Sequence, residues 1–325
     1  MVKFYPSFFF FFQFAGMAAA MTLAFSHWFV LWVSLEISLL GFLPMFSLSN
    51  QILTEGLAKY FLVQASGSAL FVLFCLFPSL SVLGIVSMGL KLGIFPFFYW
   101  VPMVMSCLPW LGCFLMGTFQ KVAPLLILFQ SIGSGSMMLL GMLVIGIIYS
   151  GLLGVNQSLL RSLLAYSSVG NTSWGILCYF SNWIFSATFF MGYGAMLSVL
   201  FYGLHRFKLD SINSMSKLKE VPAVWPIFLA LMGLPPFHIF LMKVGVISQF
   251  SSISLMISGM LVLGAVIPPF FYTYLLFPFK ILGSTSATKL NGNPRFLWPL
   301  SNFVLLGTGG GTVVSMSPLM SRTFL

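Results

Sequence analysis

The sequence predicts an all-α fold, a polytopic membrane bundle of about eleven transmembrane helices forming one integral membrane domain over residues 1–325. Three observations predict it. The 325 residues are 59% hydrophobic and 6% charged, with a mean hydropathy of +1.06, and no soluble core can hide that much apolar surface. Cutting at polar and Gly/Pro-rich punctuation leaves spans of about 20 residues, each long enough to cross a bilayer. Three lysines lie inside those spans, beside prolines that interrupt the helix ladder.

The first span, 4–25, is apolar almost at once. It lacks the Arg- and Ser-rich character of a transit peptide and runs on too long for a signal peptide, so it reads as a membrane helix. The second, 27–48, carries Glu36, and the third, 55–78, has Lys59 at its end. The fourth, 80–101, holds Lys91 and Pro96; the fifth, 108–130, holds Lys121 and Pro124. Spans 133–151, 157–180 and 183–205 follow, with Arg161 near an end. The ninth, 222–250, is interrupted at Pro235 and Pro236 and carries Lys243. The tenth, 253–279, is kinked at Pro268 and Pro269, and the last is 296–316. Spans four and nine are both broken helices with a central lysine. A unit repeated after an odd number of crossings is inverted, so 4–131 and 133–279 read as inverted repeats with discontinuous helices, followed by a final helix.

Alternate crossings put Lys3, the Lys59 end, Arg161 and the loops 205–220 and 280–295 on one side, and Arg322 on the other. That asymmetry predicts a cytoplasmic or matrix location for the side that bears the N-terminus.

The net charge of +10 does not point to nucleic acid, because no basic stripe with interleaved aromatics exists. Cys75, Cys107, Cys113 and Cys178 are scattered in apolar segments without metal-ligand spacing and read as buried, inert thiols. No phosphate loop, dinucleotide fingerprint or zinc motif occurs, so no cofactor or metal is expected on this chain. With four acids in all, paired-carboxylate chemistry is not expected either.

Attention therefore falls on the intramembrane charges. A charge at the bilayer centre costs about 2.5–3.5 kcal/mol on insertion scales, and a helix break at that depth needs protein or a water-filled cavity to cover it. Glu36, flanked by Ser34 and Ser38, has no cation within a helical turn; Lys91 is its natural partner. Burial disfavours a lysine's charged form and a carboxylate favours it, so moving or protonating Glu36 would switch Lys91 between holding and releasing a proton. A static pair fixing helix register is the alternative. Lys121 has Gln120 beside it and Pro124 nearby, and water wires to Lys91 and Lys243 would account for it. His238, five residues before Lys243, either joins the same hydrated region or is a satisfied buried histidine. Lys59 and Arg161 are expected to snorkel, and His27 and His205 to be interfacial.

Six stretches in order, HWFVLWVSLEISLLGFLP, TEGLAKYFLVQASGSAL, GLKLGIFPFFYWVP, TFQKVAPLLIL, GVNQSLLRSLLAYSSVGNTSWG and MGLPPFHIFLMK, resemble the subunit 2 family of mitochondrial NADH:ubiquinone oxidoreductase, respiratory complex I. They cover roughly 26–243; the tail matches only in hydropathy. The family is antiporter-like. The resemblance implies a proton-translocating subunit of the mitochondrial inner membrane, multi-pass, with its N-terminus on the matrix side and other membrane-arm subunits and the lipid bilayer as partners. It implies that Glu36 and Lys91 are the carboxylate–lysine pair, Lys121 the central relay and Lys243 the lysine of the second half. NADH, FMN, iron–sulfur clusters and ubiquinone would belong to other subunits. It also implies that helices are lost from the front of the ancestral bundle, which fits the early position of Glu36. Departures from the family pattern fall at Phe98, Met103 and Asn171, and at Ser162 after Arg161. A stand-alone cation/proton antiporter and a non-pumping structural subunit are the rival readings.

Overall fold

A computed structural model describes residues 6–44, 53–77, 79–131, 137–207, 209–211, 225–235 and 237–283. The regular secondary structure of the described residues is helical, with one isolated bridge, Leu159 to Ser211. The chain divides into two compact units, 1–146 and 147–325.

The first unit contains α1 (Pro6–Ala24), α2 (Trp28–Phe42), α3 (Leu53–Leu76), α4 (Ser81–Leu92), α5 (Trp100–Cys107), α6 (Trp110–Gly117) and α7 (Phe119–Ser131). α1 and α2 form a hairpin across a three-residue turn, and α3 packs along α4. α7 contacts α1, α2, α4 and α6, so the helix that carries Lys121 is the centre of this unit. Phe42, Tyr60 and Trp100 pack ring against ring within it.

α8 (Met137–Val155) runs from the first unit into the second. The second unit continues with α9 (Leu160–Ser181), α10 (Trp183–Phe207), α11 (Trp225–Met232), α12 (His238–Ile253) and α13 (Leu255–Gly283). α9 lies against α10 and α12, and α13 covers α11 and α12. Leu159 pairs with Ser211, and the Leu160 amide donates to the Asp210 carbonyl at 3.2 Å, so the segment after α10 is fastened to the start of α9.

Ten of the expected spans fall on a described helix or on a pair of consecutive helices. The span 296–316 lies outside the described residues, as do Lys3, Pro236, residues 212–220 and Arg322. Among the described residues five helical segments are long and apolar enough to cross a membrane: α3, α6 with α7, α8, α10 and α13. α13 passes through Pro268 and Pro269 as one helix. Many hydroxyls inside the helices are satisfied locally. The hydroxyls of Ser34, Ser38, Ser68, Ser87, Ser168 and Thr172 each donate to the carbonyl three residues earlier, the arrangement that lets serine sit in an apolar helix.

Candidate functional site

Lys91 occupies the last turn of α4 and is 4% exposed. The helix stops there because Gly93 adopts φ 67°, a left-handed conformation that costs glycine no Cβ clash. The Ile94 amide then donates to Gly89 O at 2.9 Å and the Gly93 amide to Leu90 O at 3.3 Å, the paired bonds of a Schellman cap. Pro96, after a cis peptide bond, lies in the connection to α5, so the break begins at Gly93, upstream of the proline. Trp100 Nε1 donates to Leu90 O at 3.1 Å, and Gln64 Nε2 on α3 donates to Lys91 O at 3.2 Å. Side chains thus take up carbonyls that a helix end leaves without intrahelical donors. Those carbonyls are also the negative end of the α4 dipole, which favours a cation at Lys91. Gly67 of α3 packs on the lysine stem; a Cβ added there would lie 2.8 Å from Lys91 Cγ.

Glu36 is half-buried on α2. Its carboxylate acts electrostatically on Lys91 without an ion-pair contact. The flanking Ser34 and Ser38 hydroxyls are used on Leu31 O and Leu35 O at 2.6 and 2.8 Å.

Lys121 is 6% exposed in the first turn of α7. Pro124, expected from sequence to break the helix, lies inside α7, and the interruption falls at Thr118, between α6 and α7. Six residues into the helix, the missing Pro124 N–H removes one rung, to Gln120 O, without ending the helix. Gln120 itself reaches α3, its Nε2 donating to the Tyr60 hydroxyl at 2.6 Å.

In the second unit Lys243, on α12, is 4% exposed. Its Nζ stands 5.6 Å from the centroid of the Trp174 ring, a cation–π contact. Gly233, with φ 76°, ends α11 and lies against the same ammonium; a Cβ there would be 3.4 Å from Nζ. Lys91 and Lys243 therefore share one device. Each lysine is buried beside a positive-φ glycine that ends a helix, Gly93 at the end of its own helix for Lys91 and Gly233 at the end of the preceding helix for Lys243. Pro235 lies in the turn between α11 and α12. Lys243 lines a small cavity with Ser150, Ser167, Asn171 and Trp174. His238 is not among the lining residues; its Nε2 lies 3.2 Å from Thr188 O of α10, as in a hydrogen-bonded buried histidine.

Arg161 does not simply snorkel. Its Nη2 donates to Asp210 Oδ1 at 2.7 Å, and Lys59 pairs with Glu55 at 3.7 Å on α3. Cys113 and Cys178 are buried as expected, whereas Cys75 and Cys107 are half-buried. Of the departures, Phe98 is fully buried and stacked on Tyr99, Met103 is exposed, and Asn171 faces the Lys243 cavity.

The family profile described as NADH:quinone oxidoreductase/Mrp antiporter, transmembrane, matches residues 8–268. The chain belongs to this antiporter family. Its members matched in sequence include a protein of Lumbricus terrestris named NADH-ubiquinone oxidoreductase chain 2, 32% identical over 273 residues, covering 79% of this chain and 82% of the relative. Another of the same name, from Anopheles gambiae, is 28% identical and covers 91% of this chain and 93% of its own length. The antiporter fold is matched by a chain in respiratory complex I from Thermus thermophilus with bound aureothin, with TM-score 0.81, 19% identity and coverage of 97% of this chain and 81% of that one. A chain of the Mrp complex from Dietzia sp. DQ12-45-1b matches with TM-score 0.72, 14% identity and coverage of 95% of this chain and 39% of that one. The protein is thus a multi-pass, all-helical membrane member of the antiporter family, related to the membrane-arm subunits of complex I.

Proposed function

We propose that this chain is a proton-translocating membrane-arm subunit of respiratory complex I in the mitochondrial inner membrane, with its N-terminus on the matrix side. The observation that carries the reading is the burial of two lysines at helix breaks: Lys91 in the last turn of the helix that ends at Gly93, and Lys243 beside Gly233, which ends the helix before its own. A dry, uncompensated lysine would be excluded from these depths. Burial disfavours the ammonium while a helix C-terminus and a nearby carboxylate favour it, and opposing influences of this kind let a lysine change protonation state, which is what a relay needs.

In this reading Glu36 tunes Lys91, and Lys121 and Lys243 hold a proton in turn. Glu36 acts at a distance, so its protonation or a small movement changes the field at Lys91 without breaking a contact. His238 is assigned a place beside the Lys243 end of the path rather than a step in it. NADH oxidation and ubiquinone reduction, with FMN and iron–sulfur clusters, are assigned to other subunits, and the charge state of the buried lysines follows the quinone chemistry there. Residues 4–131 and 133–279 are read as inverted repeats, each contributing one broken helix. The fastening of Arg161 to Asp210 supports the expectation that these two loops share one side.

The test is a mild-detergent native gel of membranes containing the full chain, stained for NADH oxidation and probed for the chain. Comigration with a large NADH-oxidising band is expected. Migration as a small species without that activity would overturn the assignment and point to a stand-alone cation/proton antiporter.

A further inference from the structure

We infer that Tyr272 and Ser167 form a hydroxyl pair that passes protons to Lys243 through one water bound in the cavity of the second unit. The inference rests on the relay reading of Lys243 and adds the route by which that lysine is loaded. The cavity has a volume of about 10 Å³, and a single water needs about 10–15 Å³ and two to four polar partners. The partners are present: Lys243, Ser150, Ser167, Asn171 and Trp174 line it. Trp174 is 1% exposed, and its indole N–H meets no acceptor among the described residues. A buried donor of that kind calls for an explanation, and a water in the cavity it lines supplies the acceptor.

The hydroxyls are ordered. Tyr272, fully buried on α13, donates to Ser167 Oγ at 2.6 Å. Asn171 Nδ2 also points at Ser167 Oγ, at 3.3 Å, which fixes that oxygen as an acceptor. The neighbouring Ser162 and Ser168 hydroxyls are occupied by carbonyls at 2.9 and 2.8 Å. Ser167 makes no such bond among the described residues, so its own proton is directed to the cavity. The donor order therefore runs from Tyr272 to Ser167, to the water, to the Lys243 amine. Each oxygen gives up one proton as it receives another. Tyr272 and Ser167 stay neutral, Lys243 gains the charge, and a hydronium arriving at the Tyr272 hydroxyl loses it. α13 has no ionisable group of the usual acid or base kind before Lys280, so a tyrosine hydroxyl is how this helix takes part.

The experiment compares Tyr272→Phe, Ser167→Ala, the double variant and Lys243→Met in the assembled complex in coupled membrane vesicles. The readout is protons translocated per NADH, with the amount of assembled complex measured alongside. The pair predicts that both single variants lower the ratio to the Lys243→Met level and that the double variant falls no further. A packing role instead lowers the amount of complex and leaves the ratio unchanged, which overturns the inference. A wild-type ratio in both single variants with a lowered one in Lys243→Met also overturns it and leaves the relay standing. A wild-type ratio in Lys243→Met takes down the relay reading and this route together. If Tyr272→Phe does not assemble, Ser167→Ala reads the same step.

Discussion

Lys91 is positioned by residues from two neighbouring helices, α3 and α5, and these contacts have testable consequences. Gln64 and Trp100 donate to carbonyls beside the lysine. Leu90 O keeps the Gly93 amide if Trp100 is lost, but losing Gln64 takes the donor from a buried carbonyl, Lys91 O, at a cost of about 1–3 kcal/mol. Gln64→Leu should accordingly lower the thermal stability of the assembled complex, measured by loss of its native-gel band on heating, whereas Gln64→Glu, with no amide donor, should do the same or worse. Gly67→Ala tests a different force. The new methyl would press on Lys91 Cγ, near the root of the side chain rather than its mobile tip, and on Ser87 O, 3.3 Å away. Overpacking of this kind costs about 1–3 kcal/mol, and the lysine must shift to relieve it. Gly67→Ala is expected to lower protons translocated per NADH more than it lowers assembly. Of these contacts, the sequence displayed only their raw material. Lys91 and Pro96 were visible as a charge beside a breaker. The indole of Trp100 and the amide of Gln64, ten and twenty-seven positions away from their acceptors, become meaningful only once the chain has turned.

At the scale of the element, the discontinuous helices depend on where the backbone leaves the helical region, and proline alone does not decide this. Gly93 and Gly233 carry the two positive φ angles among the described residues. A left-handed residue with a Cβ costs about 1–2 kcal/mol, and at Gly93 the added carbon would also collide with Val101. Gly93→Ala should therefore reduce the steady-state amount of assembled complex, read on a native gel. Pro124→Ala should have little effect on assembly or pumping, because α7 is already continuous through that residue. A large loss in Pro124→Ala would contradict the placement of the break at Thr118. Helix positions were legible because long apolar runs separated by polar punctuation leave few choices. The break at Thr118 was not, because no residue in FLMGTFQK forbids a helix, and the Gln120 bond across to Tyr60 of α3 is between residues sixty positions apart. Pro124 carried the stronger local signal and lost, since a helix tolerates one missing rung when its neighbours hold both ends.

Among the described residues the helices are apolar, Lys59 pairs with Glu55 and Arg161 with Asp210, and Lys91, Lys121 and Lys243 are buried. The paired ones carry little energy. Exposed pairs such as Arg161 with Asp210 contribute about 0.2–1 kcal/mol, and Arg161→Gln should leave assembly and pumping close to wild type. The buried ones would be a burden without a function, since insertion opposes each of them. The most direct measurement is protons translocated per NADH in coupled membranes for Lys91→Met, normalised to assembled complex. The account predicts a clear drop with the complex still assembled. An unchanged ratio in assembled Lys91→Met would contradict it and leave the buried lysines as fixed charges in a structural subunit.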